Sequence, residues 1–420
     1  MAQAVKRAHS MRPDHHPAGH QGIAVCSGSN VSTFTYQDTA ERAFQADVQA
    51  FLATQLTEDL RAAGRATVGT HSEIGASKLW HQRLYERGWI APAWPVEHGG
   101  TGWTARERLI FDRECALNDA PVLFAGGLRN VGPLLIAMGT AAQREHYLPR
   151  ILSGADLWCQ GYSEVTAGSD LATLRTSARR EGDCYVVNGR KIWTTGADLA
   201  NRMFGLVRTS TAGKPQQGIT FLLIDMQSPG IHIRPVPTIS GEAEFNEVTF
   251  DNVLVPVAER VGEENEGWAV AKKLMYYARS SNTTCALLRR ALRRVEELRA
   301  RSAAPMTRET QMRLDEVQLR LAALERIEYD SAGRDSTSDQ EFRASTMKLL
   351  ATELHQRITE IALDIAGPHA IEQRDAHACL DASPFAHAGS KYFATRAATI
   401  YSGTSEVHRN ILGRHLIGAA

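Results

Sequence analysis

Two short segments of the chain carry residue types suited to holding a ligand, Trp158 to Asp170 and Cys184 to Gly196. The first reads WCQGYSEVTAGSD and ends in a run of small and hydroxyl residues from Thr166 to Asp170. Backbone N–H groups in such a loop can approach an anion closely, because no large side chain stands in the way. The first segment therefore predicts an anion-binding loop.

The second segment, CYVVNGRKIWTTG, contains the dipeptide Asn188-Gly189 between two short apolar runs, Cys184 to Val187 and Arg190 to Trp193. Asn-Gly is a strong signal for a two-residue hairpin turn, because both turn positions need a positive φ. We therefore expect a β-hairpin that turns at Asn188-Gly189 and ends at Trp193, Thr194 and Thr195.

The elements around these segments are predicted from the spacing of apolar residues. From Thr35 to Ala63 the apolar residues recur at helical spacing and predict one helix with a single apolar stripe; they are Phe44, Val48, Phe51 and Leu52. Further helices are expected through residues 37–157. Residues 158–262 change to alternating, β-branched runs that predict a small antiparallel β-domain.

Residues 263–420 return to helical spacing, so the predicted architecture is mainly α with a central β-domain. It comprises an N-terminal helical domain, the small antiparallel β-domain and a C-terminal four-helix bundle. Residues 1–36 are polar and contain His9, His15, His16 and His20 without a regular ligand spacing. They predict a flexible tail and no metal site.

Composition limits the possible partners and the compartment. Lys+Arg and Asp+Glu are both 47, which favours neither nucleic acid nor an anionic membrane as a partner. The six cysteines are scattered, as expected for reduced thiols in a cytoplasmic protein. No apolar run has the length of a membrane span. The basic stretch RRALRR is followed at once by Glu296 and Glu297, which predicts a solvated helix face.

The two opening segments together resemble the flavin-binding half of the acyl-CoA dehydrogenases, which pair S-E-x-x-A-G-S-D with a strand ending in K-x-W-T-T-G. The resemblance extends to WxxPxWPxEHGG from Trp89, to NEVTFDNVLVP from Asn246 and to GxxNEGW from Gly262, and covers about residues 37–417. It implies the fold given above, FAD as cofactor, an acyl-CoA substrate and an electron-transfer acceptor. It also implies a homo- or hetero-oligomer, a dimer or tetramer.

The resemblance also implies which residues contact the ligands. The expected FAD contacts are Gln160, Tyr162, Ser163, Gly168, Ser169, Trp193, Thr194, Thr195, Thr404 and Glu406. Ser169 and Arg279 are the expected substrate contacts.

The catalytic base is where this chain departs from the family. Members carry a glutamate either just before the final G-T-S or just before the helix arginine, and here those positions hold Ser402 and Ala278. A serine hydroxyl is no base near neutral pH without a partner, and alanine has no titratable group. Glu242 and Glu244, in the loop before the last long strand, are the candidates for a substitute.

A second departure concerns assembly. Homotetrameric members use R-x-x-F-G and Q-x-x-G-G segments to complete a neighbour's flavin site, and both are replaced here, by RSAAPMTRET and by Asp364 to Pro368. The pattern resembles members built from two different subunits.

Three functions remain open at this point. The chain is expected to be an FAD-dependent dehydrogenase subunit that desaturates a CoA thioester at the α,β bond. The alternatives are a flavin-dependent oxidase or monooxygenase on the same fold, and a non-catalytic structural subunit of a heteromeric dehydrogenase.

Overall fold

The computed structural model describes Tyr36 and residues 38–279, 284–302, 305–332, 340–371 and 385–418. The tail predicted for residues 1–36 lies outside the described residues, apart from Tyr36. No helix in these described ranges is both long and apolar enough to cross a membrane.

The N-terminal region is helical, as predicted. Its helices are α1 (Thr39–Gln55), α2 (Glu58–Ala66), α3 (Ile74–Arg87), α4 (Ala105–Leu117), α5 (Gly132–Met138) and α6 (Ala141–Leu152), with a π-helical turn at Gly126–Val131 before α5. Side chains of Thr104 and Thr140 form capping boxes at the starts of α4 and α6. Gly88 ends α3 with φ 79°, which glycine adopts without strain.

The single helix predicted from Thr35 to Ala63 is wrong, because the chain breaks at Leu56 and Thr57, both extended. The new helix α2 begins with Glu58 and Asp59, whose negative charges interact favourably with a helix N-terminus. The apolar stripe spans the break, which is why helical spacing alone did not reveal it.

The middle region is one eight-stranded sheet. Its strands are β1 (Trp158–Gly161), β2 (Ser177–Glu181), β3 (Cys184–Thr195), β4 (Arg202–Arg208), β5 (Ile219–Asp225), β6 (Ile231–Val236), β7 (Phe245–Pro256) and β8 (Arg260–Val261). The order is β6-β7-β3-β2-β4-β5-β8, with β1 alongside β4. Most pairs are antiparallel, but β1 runs parallel to β4.

Both faces of the sheet are buried, and the alternation along β4 shows how. Phe204 and Leu206 belong to the core that the sheet shares with the N-terminal helices. Met203 and Val207 point to the opposite face and join a second core within the β-domain. Since successive side chains alternate across a strand, one strand ties the two cores together.

The hairpin turn predicted at Asn188-Gly189 is wrong. The turn lies at Gly182 and Asp183, where Glu181 pairs with Cys184, and β3 runs without a turn through Asn188. Gly189 instead sits at a bulge, with φ 143°. A Cβ at Gly189 would lie 2.6 Å from Thr176 Cα, so glycine is required here by a close backbone approach.

The C-terminal region is helical, in agreement with the prediction. Its helices are α7 (Gly267–Arg279), α8 (Cys285–Arg301), α9 (Arg308–Ala332), α10 (Gln340–Ala366), α11 (Ala386–Thr395) and α12 (Ser405–Ile417). Apolar residues of α8, α9, α10 and α11 form a core of their own. After Ala366, the last residue of α10, the chain continues as a 3₁₀ turn over Gly367–Ile371.

The solvated face predicted for RRALRR is also wrong. Arg289 pairs with the buried Glu325 of α9 at 2.5 Å, and Arg293 and Arg294 pair with Asp119, just after α4. Each of these arginines is only partly exposed. Glu296 and Glu297, which suggested a solvated face, follow in sequence but do not prevent the arginines from facing inward.

The close approach at Gly189 predicts a stability cost for any side chain there. We expect Gly189→Ala to lower the free energy of unfolding by about 1–3 kcal/mol, because a positive φ and a steric contact act together. Urea denaturation checks the value. Gly413→Ala, in open space within α12, is the control and should not destabilise. An unchanged midpoint for Gly189→Ala would contradict the reason given for the bulge.

Candidate active site

A large cavity lies where the three regions meet. Its volume is about 1110 Å³, and residues of the N-terminal helices, the sheet and the C-terminal helices line it. The expected cofactor residues Gln160, Tyr162, Ser163, Trp193 and Thr195 are all in its wall.

The cavity wall exposes large apolar side chains that a folded protein normally buries. Trp193, Ile239 and Ile400 are 56%, 68% and 65% exposed, and each lines the cavity. An apolar surface of this kind, enclosed in a cleft, is typical of a site that binds an apolar or aromatic ligand.

The conformation of β3 presents Trp193 to the cavity. Trp193 has φ 61°, an uncommon backbone conformation for a bulky residue, and the pairing of β3 with β7 shifts register between Lys191 and Thr194. Trp193 and Thr195 both line the cavity, whereas Thr194 is buried and absent from its wall. Side chains alternate between the two faces of a strand, so the hydroxyl groups of Thr194 and Thr195, both predicted to contact the cofactor, lie on opposite faces of β3.

A buried ion pair connects the two sequence motifs. Lys191 Nζ donates to Glu164 Oε1 at 2.8 Å and to the carbonyl of Tyr162 at 3.2 Å. Glu164 also accepts from the backbone N–H groups of Arg175 and Thr176. The loop after β1 is thereby fixed against β3, the strand that carries Trp193.

Charge and burial compete at this pair. Burial lowers the pKa of Lys191 to about 8, although the attraction of Glu164 acts in the opposite direction. Burial alone would raise the pKa of Glu164, but Lys191 and the hydrogen bonds outweigh it and the pKa is lowered. Both groups therefore remain charged at neutral pH, each dependent on the other.

Several buried polar atoms in cavity-lining residues have no hydrogen-bond partner within the described structure. Asn130 Oδ1, Trp158 Nε1 and Tyr162 Oη are among them. An unpaired buried polar group costs free energy comparable to a lost hydrogen bond, so a ligand that offers donors and acceptors would stabilise this wall. These unpaired donors and acceptors, together with the exposed Trp193, fit an aromatic group with polar edges, such as a flavin.

Ser402, at the expected base position, also lines the cavity. It has φ 55°, in the turn that precedes α12, and His408 Nε2 lies 3.2 Å from its carbonyl oxygen. Ala278 and Arg279 are the last residues of α7, but their side chains lie outside what the structure describes. The predicted substrate contact through Arg279 stays a prediction.

The two substitute glutamates are placed differently. Glu244 lines the cavity, and its carboxylate accepts from the backbone N–H of Thr70 at 3.0 Å. Glu242 is not among the described residues of the wall. The only other carboxylate that lines the described part of the cavity, Glu297, pairs with Arg293 and Arg294.

Besides Thr194, four expected cofactor contacts lie outside this cavity wall: Gly168, Ser169, Thr404 and Glu406. Gly168, Ser169 and Glu406 are exposed. Thr404 accepts from Val407 N–H and so caps α12. These positions suit the distal part of an extended ligand that leaves the cavity.

The sequence reasoning missed the cavity residues of α8, α10 and α11. Arg290, His355 and Lys391 line the cavity from these helices. Their local sequence does not mark them as cavity residues, since Arg290 is one of several arginines in RRALRR and the other two stand beside further polar residues. Only the packing of the helices against the N-terminal region brings them together.

Comparison with known proteins agrees with this geometry. The acyl-CoA dehydrogenase N-terminal, middle and C-terminal domain models match residues 38–155, 159–253 and 265–417. Acyl-CoA dehydrogenase IpdE1 of Mycobacterium tuberculosis is 36% identical over 91% of this chain and 98% of that protein. Acyl-CoA dehydrogenase FadE26 of the same organism is 32% identical over 89% and 95%.

Solved structures give the same result. A chain of the ChsE4-ChsE5 complex from Mycobacterium tuberculosis superposes with a TM-score of 0.77 at 29% identity, covering 92% of this chain and 99% of that one. The Tcur3481-Tcur3483 steroid ACAD gives 0.77 at 25% identity, with coverage of 92% and 99%. This chain therefore belongs to the acyl-CoA dehydrogenase family, and it is an FAD-dependent oxidoreductase. The resemblance and the architecture expected from the sequence are confirmed.

The buried pair gives a stability prediction. We expect Lys191→Met to lower the free energy of unfolding by about 3 kcal/mol, because Glu164 is left as an uncompensated buried charge. Adding Glu164→Gln should recover part of the loss, since the unpaired charge is then removed. Thermal or urea denaturation measures this double-mutant cycle, with Lys214→Met in an exposed loop as control. Strictly additive losses would contradict a coupled pair.

Proposed function

We propose that this chain is a subunit of a heteromeric acyl-CoA dehydrogenase that introduces an α,β double bond into a CoA thioester of a bulky, steroid-derived acyl group. The observation that carries the proposal is one cavity of about 1110 Å³ that joins the flavin-type wall at Trp193 to Ser402. This volume exceeds the range of about 300–1000 Å³ that is usual for small-molecule sites. The steroid ACAD and the two-component ChsE4-ChsE5 complex among the solved relatives support the acyl class and the heteromer.

Different residues of the cavity have different roles in desaturation. FAD, when bound, supplies the acceptor for the hydride that leaves the β-carbon. Trp193, Thr195 and Ser163 would hold the cofactor at the β3 wall of the cavity. The backbone N–H of Ser402 is assigned to the thioester oxygen, where a hydrogen bond acidifies the α-carbon.

Glu244 is assigned the role of base. A serine at 402 does not take a proton near neutral pH, whereas a carboxylate does. Glu297 is already paired with two arginines. Glu244 lies in the cavity wall, fixed by the N–H of Thr70, and its carboxylate would take the α-proton as the hydride leaves the neighbouring carbon.

The serine at 402 also favours a second candidate function. It lines the cavity where most of the family places a carboxylate, as expected for a structural subunit whose partner carries out the reaction. Ser402→Glu distinguishes a catalytic subunit from a structural one. Desaturation that is gained only in this variant indicates a degenerate site and argues against Glu244 as the base. An oxidase or monooxygenase on the same fold would consume oxygen without a CoA thioester.

Glu244 and Glu242 form a matched pair for a test. We expect Glu244→Gln to slow exchange of the α-proton of a steroid-side-chain thioester such as lithocholyl-CoA by about 100-fold or more, the usual contribution of a positioned base. Exchange into D₂O is followed by mass spectrometry on the FAD-loaded protein. Glu242→Gln should exchange at the wild-type rate. Equal rates for wild type and Glu244→Gln would remove Glu244 as the base.

A further inference from the structure

Two cations on the helical wall of the cavity have no carboxylate partner. Lys391 of α11 and Arg290 of α8 form no ion pair with any described residue. Lys391 Nζ donates to the carbonyl of Val68 at 2.7 Å, and Arg290 Nη1 donates to that of Ala120 at 3.3 Å. The charges of Lys391, Arg290 and Arg396 act on His355 of α10, whose buried Nε2 has no hydrogen-bond partner in the described structure. We call Arg290, His355 and Lys391 the cation cluster.

Two other arginines in the cavity wall are neutralised. Arg294 pairs with Asp119, and Arg396 pairs with Glu360 at 3.0 Å. The protein therefore supplies carboxylates to these positions, whereas the hydrogen bonds of Lys391 and Arg290 go to carbonyl oxygens. A partial dipole compensates a buried cation much less than a carboxylate does.

The pKa values of the cluster indicate that its positive charges are not fully compensated by carboxylates. Burial, with the nearby Arg290, lowers the pKa of Lys391 to about 8, against a weaker pull from Glu244 and Glu242. Burial likewise lowers the pKa of Arg290 to about 10, although the attraction of Asp119 acts in the opposite direction. For His355, burial and the surrounding cations lower the pKa to about 3, so its ring is neutral at pH 7 and can donate or accept one hydrogen bond.

We propose that the cation cluster binds a carboxylate at the far end of the acyl group, so that the preferred substrates are CoA thioesters of acids with a second carboxyl group. The inference rests on the proposed function, because the acyl group must enter this cavity. Lys391 and Arg290 donate to the carboxylate, and His355 adds a neutral hydrogen bond. The helical wall then selects the acyl group, while the β3 wall holds the cofactor.

A phosphate is the other anion that such a site attracts. The positions expected to contact the diphosphate end of the ligands, Ser169 and Thr404, lie outside the cavity wall. The cation cluster lies inside it, against the loops at Val68 and Ala120. The position favours a carboxylate carried into the cavity by the acyl group.

Two thioesters that differ only in the distal carboxylate test the proposal. Titration calorimetry on the FAD-loaded protein compares suberyl-CoA with octanoyl-CoA. We expect wild type to bind suberyl-CoA about tenfold more tightly or better, as a charge-assisted hydrogen bond allows. Lys391→Met should lose the preference, whereas Lys391→Arg and the exposed-loop control Lys214→Met should keep it. Equal binding of the two thioesters by wild type would overturn the inference and leave the proposed function intact.

A second measurement distinguishes failure of the proposed function from failure of the carboxylate site. If neither thioester binds, the proposed function is wrong, and thermal shifts with free suberate, octanoate and inorganic phosphate then test the cluster alone. Stabilisation of wild type by suberate, lost in Lys391→Met, supports a carboxylate site. A Lys391-dependent shift with phosphate but not with suberate overturns it, as does the absence of any Lys391-dependent shift.

Discussion

The buried ion pair between Glu164 and Lys191 is the constraint on which the site depends. The two residues belong to segments that are separate in sequence, yet the Lys191 ammonium holds both the Glu164 carboxylate and the carbonyl of Tyr162. A second link runs from Ile192 N–H to the carbonyl of Ser163. Trp193 follows directly, in its left-handed conformation. The position of the aromatic wall relative to Tyr162 and Ser163 is thus set from inside the sheet.

Around this fixed wall the cavity combines surfaces with different chemistry. The β3 side is apolar and aromatic, with hydrogen-bonding groups at its edge. The helical side carries cations whose charge the protein does not fully compensate. Asp119 explains part of this arrangement, because its carboxylate forms ion pairs with Arg293 and Arg294 and acts on Arg290 only from a greater distance. We propose that the helical wall selects the acyl group and that the β3 wall holds the redox cofactor.

The sequence predicted the parts that depend on local pattern. The strands lie within residues 158–262, where alternating, β-branched runs predicted them, and both flanking regions are helical as expected. The errors come from long-range contacts. Asn188-Gly189 has the chemistry of a turn, but Thr176 packs against Gly189 and makes it a bulge within a long strand.

The site was predictable where a motif is short and contiguous, as for Trp193, Thr195 and Ser163. It was not predictable where helices meet, because Arg290, His355 and Lys391 are brought together by α8, α10 and α11 alone. Helical spacing shows which face of a helix is apolar, but not which polar residue will face a cavity. For the same reason RRALRR was predicted to form a solvated face, although Glu325 and Asp119 lie opposite it.

The visible absorbance spectrum of the purified protein, recorded anaerobically before and after adding lithocholyl-CoA, tests the central claim most directly. The account predicts a bound flavin whose oxidised band bleaches on addition of the thioester, because the wall at Trp193 and the base at Glu244 act on the same ligand. A bound flavin that stays oxidised with every CoA thioester, or a protein that binds no flavin, would contradict it.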